Sequence, residues 1–316
     1  MTTGGGAMTV RKLNMAKART RLPDWFRTKL PTGELQRKFA ETKSTVTDNM
    51  LNTVCQEARC PNIHECWAAK DATFMVAGQE CTRGCRFCAV GTIKRPPPLD
   101  ENEPANLAEA IATMGLNHAV ITVVNRDDLE DSGALHYRRC LEAVRENTPE
   151  VTLELLCSDL AGDHDDLAML LDDLKLEVFA HNVECVPRLD SIVRDPRATF
   201  EQSIGILVEA KRLRPDILTK SSLMVGLGET NEEILEALQL LRDAKVDLVT
   251  IGQYLAPSPN HLAVDRFPEP SQYDEWSLKI EEMGFLGWAC GPLVRSSYRA
   301  GALLARATAR LRTDME

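Results

Sequence analysis

The amino-acid sequence predicts an α/β fold, a partial (β/α)6 barrel with extensions at both ends. Three observations support this prediction. Apolar segments alternate six times with helical segments, the apolar segments are continuous, and 316 residues suit one large domain. Continuous apolar strands separated by helices are typical of a parallel sheet that is buried on both faces. Six units suit an open or partial barrel better than a closed barrel of eight.

The six units follow one another along the chain. The first strand is predicted at 73–78, and its helix begins near Pro104 and ends at Gly115. Each later strand is a continuous apolar run that a helical segment follows. We predict these strand and helix pairs at 118–124 and 132–147, 151–157 and 164–174, 176–184 and 199–212, 218–226 and 230–244, and 246–254 and 271–283.

Polar residues follow the predicted strands at their carboxyl ends, where folds of this kind place their sites. His181 is either a structural histidine or a site residue. Gly226 and Gly228 either let the backbone approach a cofactor closely or form a plain strand-to-helix turn. The complete set of strand-end candidates is Thr122, Asn125, Arg126, Asp128, Glu154, His181, Asn182, Glu184, Lys220, Gly226, Gly228, Gln253 and Tyr254.

The charge balance argues against two classes of partner. The chain has 37 Lys and Arg against 47 Asp and Glu, a net charge of -10, which opposes broad binding to nucleic acid. The longest strand-like apolar run, residues 119–124, is far shorter than the ~18 residues that span a bilayer. Residues 11–29 are basic, with Asp24 as the single acid, and form either a docking arm for an acidic protein or a solvated tail.

The N-terminus and the isolated cysteines both suit a reducing compartment. The first 22 residues lack acids and weakly resemble an organellar transit peptide, but they have no apolar core of the secretory kind. We expect a cytoplasmic protein with an ordinary basic tail. Ten cysteines without a secretion signal make disulfides improbable. Four isolated cysteines are expected to be small buried hydrophobic residues: Cys140, Cys157, Cys185 and Cys290.

The other six cysteines form two triplets within fewer than forty residues. Cys55, Cys60 and Cys66 have C-x4-C-x5-C spacing, and Cys81, Cys85 and Cys88 have C-x3-C-x2-C spacing. Iron–sulfur clusters are held by Cys thiolates, and a four-iron cluster ordinarily takes four of them. Each triplet is one ligand short, which means either an open coordination position or a distant fourth ligand. A zinc site is the alternative, but its usual matching second half is absent.

The C-x3-C-x2-C loop after the first strand resembles the radical S-adenosylmethionine (SAM) superfamily. Gly84 and Phe87 fit the pattern of that superfamily. The resemblance implies a 4Fe-4S cluster on the second triplet, with one iron free for the amino and carboxylate groups of SAM. By the same resemblance we expect SAM contacts from Asn125, Glu154 and Lys220.

The first triplet narrows the resemblance to the lipoyl synthase family. CQEARCPNIHECW, followed fifteen residues after Cys66 by CTRGCRFCAV, is similar to that family. Two departures are small: Ser222 stands where glycine is usual, and Val124 stands where serine is common. The resemblance covers most of the chain, through the segments at 121–136, 179–189, 219–230, 250–264 and 291–301.

In that family the first triplet holds an auxiliary 4Fe-4S cluster, with the second serine of the RSSY segment, here Ser297, as the fourth ligand. An alkoxide is a poor and labile ligand for soft iron, which suits a cluster that must come apart. The residues alone also permit a helix N-cap here and do not distinguish Ser296 from Ser297. The implied domains are residues 1–70 with the auxiliary-cluster cysteines, a barrel of the radical SAM type at 71–288, and a C-terminal extension at 289–316 with the serine ligand.

The resemblance implies an activity. An electron from the second-triplet cluster cleaves SAM to methionine and a 5′-deoxyadenosyl radical, which amino-acid side chains cannot supply. The radical removes hydrogen from carbons 6 and 8 of a lysine-bound octanoyl chain, and sulfides of the auxiliary cluster are inserted there. Each lipoyl group consumes two SAM molecules and one auxiliary cluster.

The same resemblance implies protein partners. These are octanoylated lipoyl carrier domains, from 2-oxoacid dehydrogenase complexes or the glycine cleavage system, and an electron donor such as ferredoxin or flavodoxin. Such carriers are commonly acidic, so we expect them to dock on basic residues. The candidate docking residues are Arg11, Lys12, Lys17, Arg19, Arg21, Arg27, Lys29, Arg299, Arg306, Arg310 and Arg312.

Two other functions compete with this interpretation. A radical SAM enzyme with another sulfur-insertion product, such as a biotin-synthase-like or methylthiotransferase activity, lacks the N-terminal triplet. A non-catalytic electron carrier with two clusters would produce no 5′-deoxyadenosine. A carrier would also need far fewer residues than six strand–helix units.

Overall fold

The computed structural model describes residues 21–27, 32–48, 53–57 and 60–313. Most of the basic segment at 11–29 therefore lies outside the described residues. Within the described residues, no helix combines the length and apolar character that crossing a membrane requires.

A parallel sheet forms the core. Its strands are β1 (Asp71–Val76), β4 (His118–Val123), β5 (Thr152–Leu156), β6 (Val178–Ala180), β7 (Leu218–Val225), β8 (Leu248–Gln253) and β9 (Gly287–Gly291). The spatial order is β1-β4-β5-β6-β7-β8-β9, and every pairing is parallel. Two short strands, β2 (Glu80–Cys81) and β3 (Gly91–Thr92), pair with each other outside this sheet. The α/β prediction and all six predicted strands are confirmed.

Helices connect consecutive strands, and all six predicted helices are present. They are α4 (Glu103–Met114), α5 (Ala134–Asn147), α6 (His164–Leu171), α8 (Phe200–Leu213), α9 (Asn231–Asp243) and α10 (Pro270–Glu282). Capping determines several of their ends. Thr230 and Glu233 form a capping box at the start of α9, and Gly115 ends α4 in the left-handed conformation at φ 57°.

The remaining α-helices lie at the two ends of the chain and in one loop. They are α1 (Glu34–Asp48), α2 (Val54–Glu57), α3 (Ile63–Ala68), the short α7 (Asp190–Val193) and α11 (Ala300–Thr313). Phe39 of α1 packs against α3, with its ring 5.9 Å from Trp67 and 4.2 Å from His64. The Thr42 hydroxyl donates to the Trp67 carbonyl at 3.1 Å. These contacts hold α1 and α3 together beside β1.

The seventh strand, β9, was not predicted. Its sequence GWACG lacks a continuous apolar run, and the predicted domain boundary at 288/289 falls inside it. A side chain at Gly287 would lie 2.9 Å from Leu303 Cδ1 and 3.0 Å from Leu248 Cδ2. Glycine is therefore present because α11 packs directly against this strand.

Helix α11 closes one end of the barrel. Leu303, Leu304 and Ala307 of this helix pack against Val178, Leu218 and Leu248, which are the first residues of β6, β7 and β8. The amino ends of these strands are thus covered by an apolar plug. The carboxyl ends remain for the functional site, as expected for a barrel of parallel strands.

Candidate functional site

The first cysteine triplet surrounds a single cavity, which we name the cysteine cavity. Cys55 comes from α2, Cys60 from the next loop and Cys66 from α3, and Ser297 reaches the same cavity from the C-terminal region. The cavity measures about 340 Å³ when the open solvent at its mouth is included. Three thiols and one hydroxyl thus converge, although the hydroxyl is far from the thiols in sequence.

Two thiols of this cavity, Cys55 and Cys66, are buried, and Cys60 is half-buried. Burial raises the pKa of Cys55 and raises the pKa of Cys66 to about 12. Buried thiols give up their protons when a metal binds, so metal loading here releases protons. Three thiolates and one serine oxygen are a donor set that fits a four-iron cluster.

The segment that carries Ser297 is clamped against α3. The Tyr298 hydroxyl donates to the Glu65 carboxylate at 2.6 Å, and the Asn62 side-chain amide donates to the Leu293 carbonyl at 2.5 Å. The backbone N–H of Tyr298 donates to the Arg295 carbonyl at 2.9 Å and closes a turn. These bonds join the two sequence regions that line the cysteine cavity.

A second cavity, which we name the central cavity, lies at the carboxyl ends of the strands. It measures about 800 Å³ including its open mouth. Its apolar lining includes Phe87 of the second cysteine loop and Met224 of β7. Ser296 lines this cavity, whereas Ser297 lines the cysteine cavity. The other lining residues are Leu156, Asn182, Glu184, Ser222, Leu223, Gly252, Gln253, Tyr254, Leu255, Val294 and Arg295.

The second triplet lies in the loop after β1, and each of its sulfur atoms accepts a backbone N–H. Cys81 accepts from the second residue after it at 3.4 Å, and Cys88 accepts from Val90 at 3.5 Å. Cys85 accepts from Asp195 at 3.3 Å, and burial raises its pKa to about 11. N–H donors favour thiolate over thiol and tune the potential of a bound cluster. These sulfur atoms therefore fit a cluster with three protein ligands.

The spacing of both triplets also bears on the zinc alternative. Among the described residues, the group whose ligand atoms all lie within 4.8 Å of one another is Glu103, His136 and Cys140, and neither cysteine triplet is so compact. Tetrahedral zinc with bonds of about 2.3 Å would hold its sulfur atoms only ~3.8 Å apart. The sulfur atoms of each triplet are therefore more widely spaced than a zinc site requires.

The compact group is held together by hydrogen bonds within the protein. Glu103 accepts from His136 at 2.5 Å and from the Ala77 N–H at 2.8 Å.

A network of buried ion pairs holds the second cysteine loop in place. Arg83, inside the loop, donates to Asp127 at 2.7 Å and to Asp159 at 2.6 Å. Burial alone would raise the pKa of Asp159, but hydrogen bonds from Arg83 and others lower it. The Gly84 N–H donates to the Asp195 carboxylate at 2.9 Å. Sequence reasoning missed these supports; its one available signal was the arginine between two cysteines.

The predicted SAM contacts are separated in space. The Asn125 carbonyl accepts from the N–H and the hydroxyl of Thr82, both at 3.0 Å, beside the second cysteine loop. Glu154 and Lys220 instead form a buried ion pair at 2.7 Å inside the barrel. Among the described residues, neither of these two lines the central cavity. All three contacts stay predictions.

Two alternatives that the sequence left open have structural answers. His181 is buried, and its ring nitrogens bond the Cys157 carbonyl and the Ser203 hydroxyl, both at 2.9 Å, which is the environment of a structural histidine. Gly226 has φ 92°, and a side chain there would lie 2.5 Å from the Arg266 carbonyl. This glycine is required by the fold itself.

The isolated cysteines are largely as expected. Cys140, Cys157 and Cys185 are buried among apolar side chains. Cys290 is half-buried and lines an outer cleft together with Trp25, Leu293 and Tyr298.

Solved structures share this fold. The FeFe-hydrogenase maturase HydG from Carboxydothermus hydrogenoformans superposes with a TM-score of 0.56 at 12% identity, covering 87% of this chain and 68% of that chain. Methylornithine synthase (PylB) superposes with a TM-score of 0.55 at 12% identity, covering 79% and 77%. At this identity the likeness concerns the fold alone.

A parallel partial barrel with a C-x3-C-x2-C loop after its first strand defines a radical SAM enzyme, and residues 75–241 match the model of the Radical SAM superfamily. Residues 7–60 match the N-terminal domain of lipoyl synthase of the radical SAM family. The chain belongs to the lipoyl synthase family, and its activity is that of a sulfur-inserting radical SAM enzyme.

Three relatives illustrate the match. Lipoyl synthase from Marinobacter nauticus is 49% identical over 284 residues, which cover 90% of this chain and 80% of that protein. The chloroplastic lipoyl synthase from Arabidopsis thaliana is 48% identical over 95% of this chain and 75% of that protein. The mitochondrial lipoyl synthase from Bos taurus is 46% identical over 90% and 76%.

Proposed function

We propose that this chain inserts two sulfur atoms at carbons 6 and 8 of a protein-bound octanoyl-lysine and thereby forms the lipoyl group. The sulfur donor is an auxiliary 4Fe-4S cluster held by Cys55, Cys60, Cys66 and Ser297. When bound, the two clusters and SAM supply a reducing electron, a 5′-deoxyadenosyl radical and sulfide. The observation that carries the proposal is that one cavity gathers three thiols and a serine oxygen directly beside the central cavity.

The central cavity has the chemistry that such a substrate and SAM require. Leu156, Leu223 and Leu255 give it apolar walls that suit an eight-carbon acyl chain and exclude water. Asn182, whose side-chain oxygen has no partner among the described residues, offers a polar group for the polar parts of SAM. Cys81, Cys85 and Cys88 hold the cluster to which SAM binds, on the loop that presents Phe87 to this cavity.

Ser297 is the labile ligand of the proposed site. A serine oxygen binds soft iron less well than a thiolate does, so its bond breaks more readily. The hydroxyl lies on a turn that the Tyr298–Glu65 bond holds at 2.6 Å. The serine is therefore kept near the cluster while the iron–oxygen bond remains weak.

The outer cleft gives the acyl-lysine arm a route from the surface. Val294 lines both the outer cleft and the central cavity, and Asn62 and Tyr298 line both the outer cleft and the cysteine cavity. We therefore place the octanoylated carrier domain at this cleft. An electron donor such as ferredoxin or flavodoxin completes the proposed set of partners.

Cytoplasmic location is part of the proposal. The negative net charge and the basic N-terminal region suit any reducing aqueous compartment, and two relatives are described as chloroplastic and mitochondrial. Cell fractionation of the tagged chain tests the location. Recovery in an organelle with residues 1–22 removed would overturn it.

One assay tests the function. Anaerobic protein with reconstituted clusters is incubated with SAM, dithionite and an octanoyl-lysine peptide, and products are followed by mass spectrometry. We expect 5′-deoxyadenosine and a peptide that gains two sulfur atoms. Release of no 5′-deoxyadenosine would favour the electron carrier, and a different sulfur product would favour another enzyme of the superfamily.

A cysteine substitution assigns the sulfur donor. Cys60→Ala should still cleave SAM, because the second triplet is intact, but should insert no sulfur. Cys140→Ala, which changes a cysteine outside both triplets, is the matched control and should do both. Thiolated product from the Cys60→Ala protein would separate the auxiliary cluster from sulfur donation.

A further inference from the structure

Arg295 lies at the boundary between the two cavities. Its side chain lines both the cysteine cavity and the central cavity. It is two residues before Ser297 in the turn that the Tyr298–Arg295 backbone bond closes. Arg295 is thus the charged group that both cavities share.

The guanidinium of Arg295 has only carbonyl partners. One of its terminal nitrogens donates to the Val294 carbonyl at 2.8 Å and to the Gln253 carbonyl at 3.4 Å. Within the described part of the chain it has no carboxylate partner. Buried Arg83 and Arg126, by contrast, pair with aspartates at 2.6 and 2.8 Å.

The acids of the two cavities are engaged elsewhere. Asp71 in the cysteine cavity accepts from the Gly301 N–H at 3.3 Å, and burial raises its pKa to about 6. Glu184 in the central cavity accepts from Asn182 at 3.1 Å and has Arg194 as its charged neighbour. Neither carboxylate therefore neutralises Arg295.

A cation enclosed by protein is costly unless an anion accompanies it. Arg295 lines the same cavity as Cys55, Cys60 and Cys66. A four-iron cluster with three thiolates and an alkoxide carries net negative charge. The auxiliary site thus offers the anion that Arg295 lacks.

We propose that Arg295 is a positioning residue that neutralises the negative charge of the auxiliary cluster and holds its serine-ligated side toward the central cavity. This inference rests on the proposed function, because it requires the auxiliary cluster. Arg295 acts in two ways: the guanidinium attracts the cluster, and its bond to the Gln253 carbonyl ties the Ser297 turn to the end of β8.

The test compares cluster properties in the loaded enzyme. Arg295→Met removes the charge, Arg295→Lys keeps it, and Arg242→Met is the matched control. Arg242 is also half-buried with a carbonyl partner, Val246 at 3.0 Å, but lines neither cavity. Iron is counted, its loss to a chelator is timed, and each cluster is titrated with a reductant and followed by electron paramagnetic resonance.

We expect Arg295→Met to lose auxiliary iron on the order of tenfold faster than the parent, because an uncompensated charge is left behind. Its auxiliary cluster should have a more negative reduction potential, since loss of a nearby cation disfavours the added electron. Arg295→Lys should lie between the parent and Arg295→Met. Arg242→Met should match the parent in iron loss, in reduction potential and in SAM cleavage.

Two results would overturn the inference. One is an auxiliary cluster with unchanged potential and unchanged iron loss in Arg295→Met. The other is a large rise in the Kd for SAM with an unchanged auxiliary cluster, which would assign Arg295 to the SAM carboxylate. Failure of the proposed function is distinct, because the parent itself would then hold about four irons instead of about eight. If Arg295→Met does not fold, Arg295→Lys provides the test. A rate of iron loss and a reduction potential that differ from those of the parent would support the inference, and parent values would overturn it.

Discussion

At the scale of single residues, Ser296 and Ser297 show how adjacent side chains serve different sites. Ser297 lines the cysteine cavity, and Ser296 lines the central cavity. Both serines belong to the turn that the Tyr298 N–H and the Arg295 carbonyl close. Their substitutions should therefore have different effects.

We predict that Ser297→Ala lowers the iron content of the auxiliary site and reduces lipoyl product at least roughly tenfold, because the fourth ligand is lost. Ser297→Cys should retain the iron but release sulfur more slowly, since thiolate binds iron more firmly. Iron analysis and product mass spectrometry measure both effects. Ser296→Ala is the matched control and should keep its iron; the reverse pattern would make Ser296 the ligand.

His118 is a second informative residue because it is buried with one free ring nitrogen. Its Nδ1 bonds the Thr152 hydroxyl at 2.8 Å, while Nε2 has no partner among the described residues. Burial, together with the charge of Lys220, lowers the pKa of His118 to about 3. The folded protein therefore resists protonation of this ring.

Stability should fall as the pH drops below about 6.5, because the unfolded chain then binds a proton that the folded chain refuses. For one such histidine the loss between pH 7 and pH 5.5 is on the order of 1 kcal/mol. We expect His118→Asn to lose less thermal stability than the parent over this range. The exposed His164→Gln is the control. If the melting temperatures of His118→Asn and the parent fall equally between pH 7 and pH 5.5, the prediction is contradicted.

At the scale of elements, the end of β8 meets the segment that carries the serine ligand. A side chain at Gly252 would lie 2.1 Å from the Val294 carbonyl oxygen. That oxygen belongs to the backbone and cannot rotate away. The close approach of β8 and Val294 therefore depends on glycine at this position.

We predict that Gly252→Ala displaces the segment with Ser297 and lowers auxiliary iron, because the added carbon meets the Val294 backbone oxygen. Iron counts measure this. Gly205→Ala is the matched control: it lies within α8 with no neighbouring atom within 4 Å of the added carbon. This control should raise stability by about 0.5–1 kcal/mol. Full auxiliary iron in Gly252→Ala would refute the prediction.

At the scale of the whole molecule, charge is distributed unevenly. The net charge is -10, yet the N-terminal segment at 11–29 is basic. In α11, Arg310 stacks over Trp288 at 4.6 Å and pairs with Glu281 at 3.2 Å, so part of its charge is used within the protein. Arg310 is therefore less available to attract an acidic carrier.

We predict that Lys17→Glu with Arg19→Glu raises the KM for the octanoylated carrier domain several-fold, because complementary charge speeds encounter. The rate with a short octanoyl-lysine peptide should not change. Lys175→Glu with Lys245→Glu is the matched control, because it alters the charge equally at exposed positions just before β6 and β8, at the amino ends of these strands. An unchanged KM for the carrier domain in the variant with Lys17→Glu and Arg19→Glu would indicate that the segment is a solvated tail.

The sequence by itself determined the six strand–helix units, the two cysteine triplets and the family. These features are local: an apolar run, a helical period and a ligand spacing are each read within a few residues. It missed β9, because GWACG has no continuous apolar run and forms a strand only where Leu248 and Leu303 pack around Gly287.

Only the tertiary structure decided which polar side chains share a cavity. Glu154 and Lys220 follow the pattern of site residues, yet they neutralise each other inside the barrel. Ser297 and Arg295 reach the cysteines of α2 and α3 because β9 and α11 return the chain to β1. Contacts between residues so far apart in sequence depend on how distant elements pack, and no local period or spacing in the sequence encodes that packing.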